Sequence, residues 1–144
     1  MAGELLPFKL VTPVGVLIDE QVREVTAVNP LGEFGVLPEH VDYITSLEPG
    51  ILTVRMGDGR ERFYLLYGGL AEVKDGQLTV LAQGAEAIEE LAAQPEAATA
   101  IEAAAERLRH LSFYEPEYEN ALRALKLAQA RQRAAEIAHQ ARGR

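Results

Sequence analysis

The residues best suited to chemistry fall in one short stretch: Gly32, Glu33, Phe34, Gly35, Val36, Leu37, Pro38, Glu39 and His40. With Glu39 and Asp42 close by in sequence, His40 is a candidate general base or metal ligand. Little else supports either role. His110 and His139 lie in the later part of the chain at no ligand-like spacing, and there is no cysteine to supply a thiolate. No Ser/His/Asp or Cys/His arrangement is visible. Gly68 and Gly69 lack the flanking pattern of a phosphate-binding loop. His40 therefore reads most simply as a histidine on an exposed turn or interface, and the chain as a poor candidate for an enzyme acting alone.

The elements that position this stretch follow from its own residues. Gly32 and Gly35 admit positive φ or the close approach of another backbone. Pro38 cannot donate to a sheet ladder, so it belongs at a strand end or edge. A short strand from Glu33 to Leu37 is expected, stopping in an exposed turn that carries Glu39 and His40. Charge and imidazole on a rigid turn mark a contact surface.

Composition sets the outer limits. A chain of 144 residues is one ordinary domain, or a small domain with an appendage. It is 48% hydrophobic, enough for a core. No apolar run approaches the ~18 residues a bilayer span needs. The acidic start at Glu4 is not that of a secretory signal, and the absence of cysteine fits a reducing compartment. A net charge of −8 argues against nucleic acid as the main partner. That charge is uneven. Glu86, Glu89, Glu90, Glu96, Glu102, Glu106, Glu115, Glu117 and Glu119 face only Arg107 and Arg109 in their segment. From residue 120 onward Arg123, Lys126, Arg131, Arg133, Arg142 and Arg144 are opposed by Glu136 alone. Such a cationic island fits an acidic partner surface, or the chain's own acidic part.

In chain order, Phe8, Leu10 and Thr12 alternate in a half-buried strand. Val16, Leu17 and Ile18 form a short apolar run ended by Asp19 and Glu20, and Val22, Val25 and Val28 form another that runs to the turn at Asn29 and Pro30. Residues 43–47 and 51–56 are strand-like. Gly57, Asp58 and Gly59 turn the chain into a strand over 61–67. Both faces of that strand are apolar, Phe63, Leu65 and Tyr67 on one and Tyr64 and Leu66 on the other, which places it between two sheets. A further hairpin turns at Asp75 and Gly76. About ten short strands in residues 1–84 predict a β-sandwich or barrel.

After Gln83 and Gly84 alanine takes over. Pro95 suits a helix start, and Ile101, Ala104, Ala105, Leu108 and Leu111 trace a helical stripe. Residues 112–116 connect to a second helix, with Leu127, Ala130, Ala134, Ile137, Ala138 and Ala141 on its apolar side, ending near Gly143. The expectation for 85–144 is an antiparallel helical hairpin, and for the whole chain an α+β fold. Alanine seams bury little area, so the hairpin should dock lightly and be able to move. At 100° per residue Arg123, Lys126 and Arg133 share about one quadrant of the last helix, while Arg131 and Arg142 fall on another side.

A β-rich domain followed by an alanine-rich helical hairpin resembles the epsilon subunit of F-type ATP synthase, bacterial type. The resemblance is carried by residues 32–40, with Leu47, Glu48, Pro49 and Gly50 behind them, by Tyr67, Gly68, Gly69, Leu70, Ala71, Glu72 and Val73, and by Leu78, Thr79, Val80, Leu81 and Ala82. It covers almost the whole chain, the helices matching mainly in architecture and composition. It implies a non-catalytic central-stalk subunit of a proton-translocating rotary enzyme, turning with gamma, seated on the ring of c subunits, and passing rotation toward the alpha and beta subunits that make ATP. It further implies a peripheral position on the cytoplasmic face of the bacterial plasma membrane, and a hairpin that can extend along gamma and block ATP hydrolysis.

Residue by residue, Glu33 matches the acid of the loop facing the c ring and His40 the histidine near gamma, with Phe34 and Pro38 in the same contact. Arg123, Lys126 and Arg133 stand where contacts to beta in the extended state are expected. Glu39 departs from the pattern, which usually has glycine there. A second departure concerns ATP. Where some members carry an Ile/Leu-Asp-x-x-Arg-Ala segment, this chain has Ile88, Glu89, Glu90, Leu91, Ala92 and Ala93. Ala92 in place of arginine removes the guanidinium that would pair with phosphate, so ATP binding is expected to be weak or absent and no cofactor is expected. Two rival readings are a free-standing β-sandwich adaptor that recruits a partner through its hairpin, and a small hydrolase using His40.

Overall fold

The computed structural model describes residues 4–88 and 97–142, with the side chains of 97, 98, 141 and 142 outside the description. Nine strands come first: β1 (Leu6–Thr12), β2 (Gly15–Asn29), β3 (Gly32–Val36), β4 (Tyr43–Leu47), β5 (Gly50–Met56), β6 (Glu61–Leu66), β7 (Gly69–Lys74), β8 (Gln77–Ala82) and β9 (Ala85–Ala87). Two helices follow, α1 (Ala97–Arg109) and α2 (Glu117–Arg142). The fold is α+β: a β-sandwich followed by two helices packed on each other.

The strands hydrogen-bond in the order β4-β7-β8-β1-β2-β5-β6-β9, with β3 added to β2. All described pairings are antiparallel except β1 with β8. The hinge of this arrangement is β2. Its first half pairs with β1 up to Val22, and its second half pairs with β5 from Val22 and with β3 from Val25. A register slip between Val22 and Glu24 lies where β2 leaves one layer for the other. Val16–Ile18 and Val22–Val28, expected as separate segments, are thus one strand of 15 residues. Asp19 and Glu20 do not end it, because Ile18 and Val22 point into the core while the residues between them stay exposed at the surface.

Two apolar clusters hold the molecule together. The first fills the sandwich with Leu6, Phe8, Leu10, Val22, Val25, Leu52, Val54, Tyr64, Leu66, Val73, Leu78 and Val80 among others. The second joins Leu65 and Ile88 to Ala130, Ala134 and Ala138 of α2, flanked by Ile51, Phe63, Tyr67, Leu127 and Ile137. This corrects the sequence reading of β6. Its second apolar face lies under a helix, not under a second sheet. Two-faced hydrophobicity states that both faces are covered, and says nothing about whether strand or helix does the covering.

The hairpin is therefore folded back on the sandwich, α2 lying across β5 and β6. The alanines at 130, 134 and 138 are spaced one turn apart, which lets the helix backbone come close to the sheet. Pro116 immediately precedes α2, in keeping with a helix start there. Pro95 falls outside the described residues.

Candidate functional site

Two surfaces carry the residues singled out from sequence. The first is the end of the sandwich formed by β3 and the turn after it. The strand covers Gly32–Val36, and Pro38 sits just beyond its end. His40 donates its backbone N–H to the Leu37 carbonyl at 3.2 Å. With proline second and Glu39 third at φ 65°, the turn has the pattern of a type II turn. The third position of such a turn requires positive φ, which glycine takes without cost and glutamate does not. This is the physical content of the departure at Glu39. The Glu39 carboxylate also acts on its neighbour: a side-chain hydrogen bond and then charge repulsion from Glu39 hold the Glu4 carboxyl above its usual range.

Tyr43 organises this end, and sequence reasoning missed it. Its ring lies 6.0 Å from Phe34, edge to face, and 6.0 Å from His40. Its hydroxyl accepts a hydrogen bond from Asn29 Nδ2 at 3.3 Å. Asn29 in turn accepts from the Leu31 N–H at 2.9 Å, bracing the β2–β3 turn. The available signal was an aromatic residue opening the strand that follows the motif.

His40 is not arranged for catalysis. Its Nδ1 is 2.7 Å from the Val41 carbonyl, so Nδ1 is the donor. Asp42 is committed elsewhere, accepting the Asp75 N–H at 3.0 Å and closing the β7–β8 turn. The proximity of Glu39, His40 and Asp42 in sequence does not become a base and its orienting carboxylate in space. Glu33 stands exposed on β3 opposite Val28, with Leu31 beside it 96% exposed.

The second surface is the contact of α2 with the sandwich. Of the three basic residues expected to share one role, Lys126 pairs with Glu48 among the described residues, its Nζ 3.3 Å from Glu48 Oε2. Arg123 is exposed. Arg133 lines an open cleft of about 620 Å³ with Pro30, Glu33, Ile51 and Phe63. The residue that anchors the helix is Arg131. Its Nη2 donates to the Tyr67 hydroxyl at 3.1 Å, its Nη1 is 2.9 Å from Glu86 Oε2, and its guanidinium lies 5.4 Å from the Tyr67 ring centre. That Glu86 oxygen is buried, and its close partner among the described residues is the Arg131 guanidinium. Burial, then the Glu86 carboxylate, push the Tyr67 phenol up. Arg131 stands four residues after Leu127, a spacing that puts it on the docking side.

In the segment compared with an ATP motif, Ile88 is 2% exposed and packs against α2. Glu89, Ala92 and Ala93 lie outside the described residues.

Comparison with known proteins adds a family. Residues 5–88 match the family described as ATP synthase, Delta/Epsilon chain, beta-sandwich domain. The ATP synthase epsilon chain of Citrifermentans bemidjiense is 37% identical over 126 residues, covering 83% of this chain and 91% of that one. That of Rhizobium johnstonii is 35% identical over 108 residues, covering 75% and 79%. Among solved structures, a chain of the Euglena gracilis mitochondrial ATP synthase assembly of OSCP, F1 and c-ring aligns with a TM-score of 0.78 at 26% identity, covering 92% of this chain and 82% of that one. A chain of the Tetrahymena thermophila central stalk and c-ring, at 17% identity and a TM-score of 0.57, shares the fold. The sandwich, the two helices behind it and relatives alike along most of both chains lead to one conclusion: this chain belongs to the ATP synthase delta/epsilon family.

Proposed function

We propose that the chain is the non-catalytic epsilon subunit of the central stalk, an accessory part of ATP synthase that turns with gamma and couples the c ring to ATP synthesis on alpha and beta. The observation that carries this reading is the exposed, braced end of the sandwich at residues 31–40. Glu33 would face the c ring, and Phe34, Pro38 and His40 would meet gamma. A second feature supports a protein partner on the sandwich. Leu70, Leu81, Val11 and Val16 stand in one cross-strand row on its outer face, following the register of β7, β8, β1 and β2. Leu81 and Val16 are at least half exposed. Apolar side chains gathered in one row suit a contact surface better than single exposed residues do. The subunit is peripheral to the membrane complex, and no described helix is long and apolar enough to cross a membrane. The cytoplasmic face of a bacterial plasma membrane and a proton-driven ring belong to this proposal.

The hairpin is the proposed brake on ATP hydrolysis. In its extended form Arg123, Lys126 and Arg133 would meet acidic residues of beta, and Lys126 would first have to leave Glu48. The test is reconstitution with alpha, beta and gamma subunits, with and without residues 95–144. The truncated chain should give a faster ATPase. An unchanged rate would show that the hairpin is no brake.

A further inference from the structure

We infer that the tip of the helical hairpin is a docking knob, in which Phe113, Tyr114 and Tyr118 insert into an apolar cleft with a basic rim on a partner protein. The inference rests on the family reading above, since the partner is sought within the same assembly. Phe113 is 74% exposed and Tyr114 91% exposed. Phe113 stacks edge to face on both neighbours, its ring centre 5.6 Å from Tyr114 and 5.4 Å from Tyr118. The turn beneath them is fixed by its own hydrogen bonds. The Glu115 N–H donates to the Ser112 carbonyl at 2.9 Å, the Tyr118 N–H to the Glu115 carbonyl at 3.0 Å, and the Ser112 N–H to Glu115 Oε1 at 3.2 Å. A cluster already held in one shape loses little freedom on binding. Aromatic side chains of this kind are the usual anchors of protein interfaces.

Position and charge narrow the partner. Lys126 touches Glu48 of the sandwich, and α2 begins nine residues earlier, so the tip projects about 13 Å past that contact. Folding the hairpin down leaves the knob exposed. Glu115, Glu117 and Glu119 flank it in sequence and are exposed, against the exposed Arg107 and Arg123 farther along the two helices, while Arg109 and His110 both pair with Glu106. An apolar point flanked by carboxylates selects a cleft bordered by Lys or Arg and is repelled by anionic lipid.

The full-length chain is titrated onto a purified complex of alpha, beta and gamma subunits, in wild-type form and as the double variant Phe113→Ser, Tyr114→Ser. Both residues are exposed, so the melting temperature should hold while affinity falls at least tenfold. Reversal at Glu117→Lys with Glu119→Lys should also weaken binding, more so at low salt. Benzoylphenylalanine at position 113 should cross-link to one peptide holding Lys or Arg beside apolar residues. Equal affinity of the serine variant, cross-links scattered over many peptides, or Phe113-dependent binding to phosphatidylcholine vesicles would each overturn the knob. Failure of the wild-type chain to bind at all would remove the proposed partners together with it. A tight wild type with an indifferent variant removes the knob alone.

Discussion

Replacing Arg131 by methionine should release the hairpin from the sandwich. The variant keeps the apolar stem and a good helix former while removing the guanidinium. Three interactions are lost. The hydrogen bond to Tyr67 contributes about 0.5–1.5 kcal/mol. The cation–π contact adds about 0.5–1 kcal/mol. The ion pair with Glu86, whose side chains are 27% and 34% exposed, adds up to about 1 kcal/mol. Because these share one side chain they do not sum fully, and about 2 kcal/mol is the working figure. The alanine seam offers a comparison. Three buried methyl groups at ~0.8 kcal/mol each give an amount of the same order. Losing the arginine should thus shift the ratio of docked to released hairpin by about thirtyfold. The chain has no cysteine, so spin labels placed at Glu61→Cys and Gln132→Cys report the distance cleanly. The wild type should give one short, narrow distribution, and Arg131→Met a broad, longer one. Added salt should loosen the wild type more than the variant, which keeps only the Lys126–Glu48 pair across this contact. A narrow distribution that survives the substitution would refute the reasoning and assign docking to Leu65, Ile88, Leu127 and Ile137.

Three further outcomes follow from the same geometry. Glu39→Gly relieves a left-handed glutamate and should stabilise the sandwich by roughly 0.5–1 kcal/mol in chemical denaturation, and the Glu4 carboxyl should return to its ordinary range in an NMR titration. Gly69 has φ 153°, and a Cβ there would lie 2.1 Å from the Leu81 carbonyl oxygen. Gly69→Ala should therefore cost about 2–4 kcal/mol and lower the melting temperature by roughly 6–16 degrees. Tyr67 has its folded-state pKa raised above the ordinary 10.0. The native state holds this proton more tightly, so the contribution is complete below pH 10 and is lost as pH rises through the raised value. Docking should weaken in that alkaline window, and Tyr67→Phe should remove the dependence.

Much of the architecture was legible along the chain. Alternation of Phe8, Leu10 and Thr12, the turns at Asn29 and Asp75, and the stripe through Ala130, Ala134 and Ala138 are local patterns with a local cause. Side-chain period and turn chemistry act over a few residues. The motif at 32–40 was likewise placed correctly as a strand ending in a proline turn. The strand at Gly15–Asn29 was not, because two solvent-facing acids look like a stop when the faces they occupy are unknown. The partner of β6 could not be read either, since burial of a face does not name what buries it.

For the proposed sites the division is similar. Residue order along the chain determined that Glu33 and Phe34 would lie on a short strand and Pro38 and His40 on the turn that ends it, that Glu39 would be the odd member, and that a cationic helix would follow the acidic one. Only the tertiary structure decided what these residues touch. It showed Glu39 in left-handed backbone, Tyr43 as the ring between Phe34 and His40, and Asp42 drawn away to Asp75. It also put Arg131 on Tyr67 and Glu86, 64 and 45 residues earlier in the chain. The reason is physical. Conformational preference is written locally, but a charge pair or ring contact between distant residues exists only once packing has closed the chain between them.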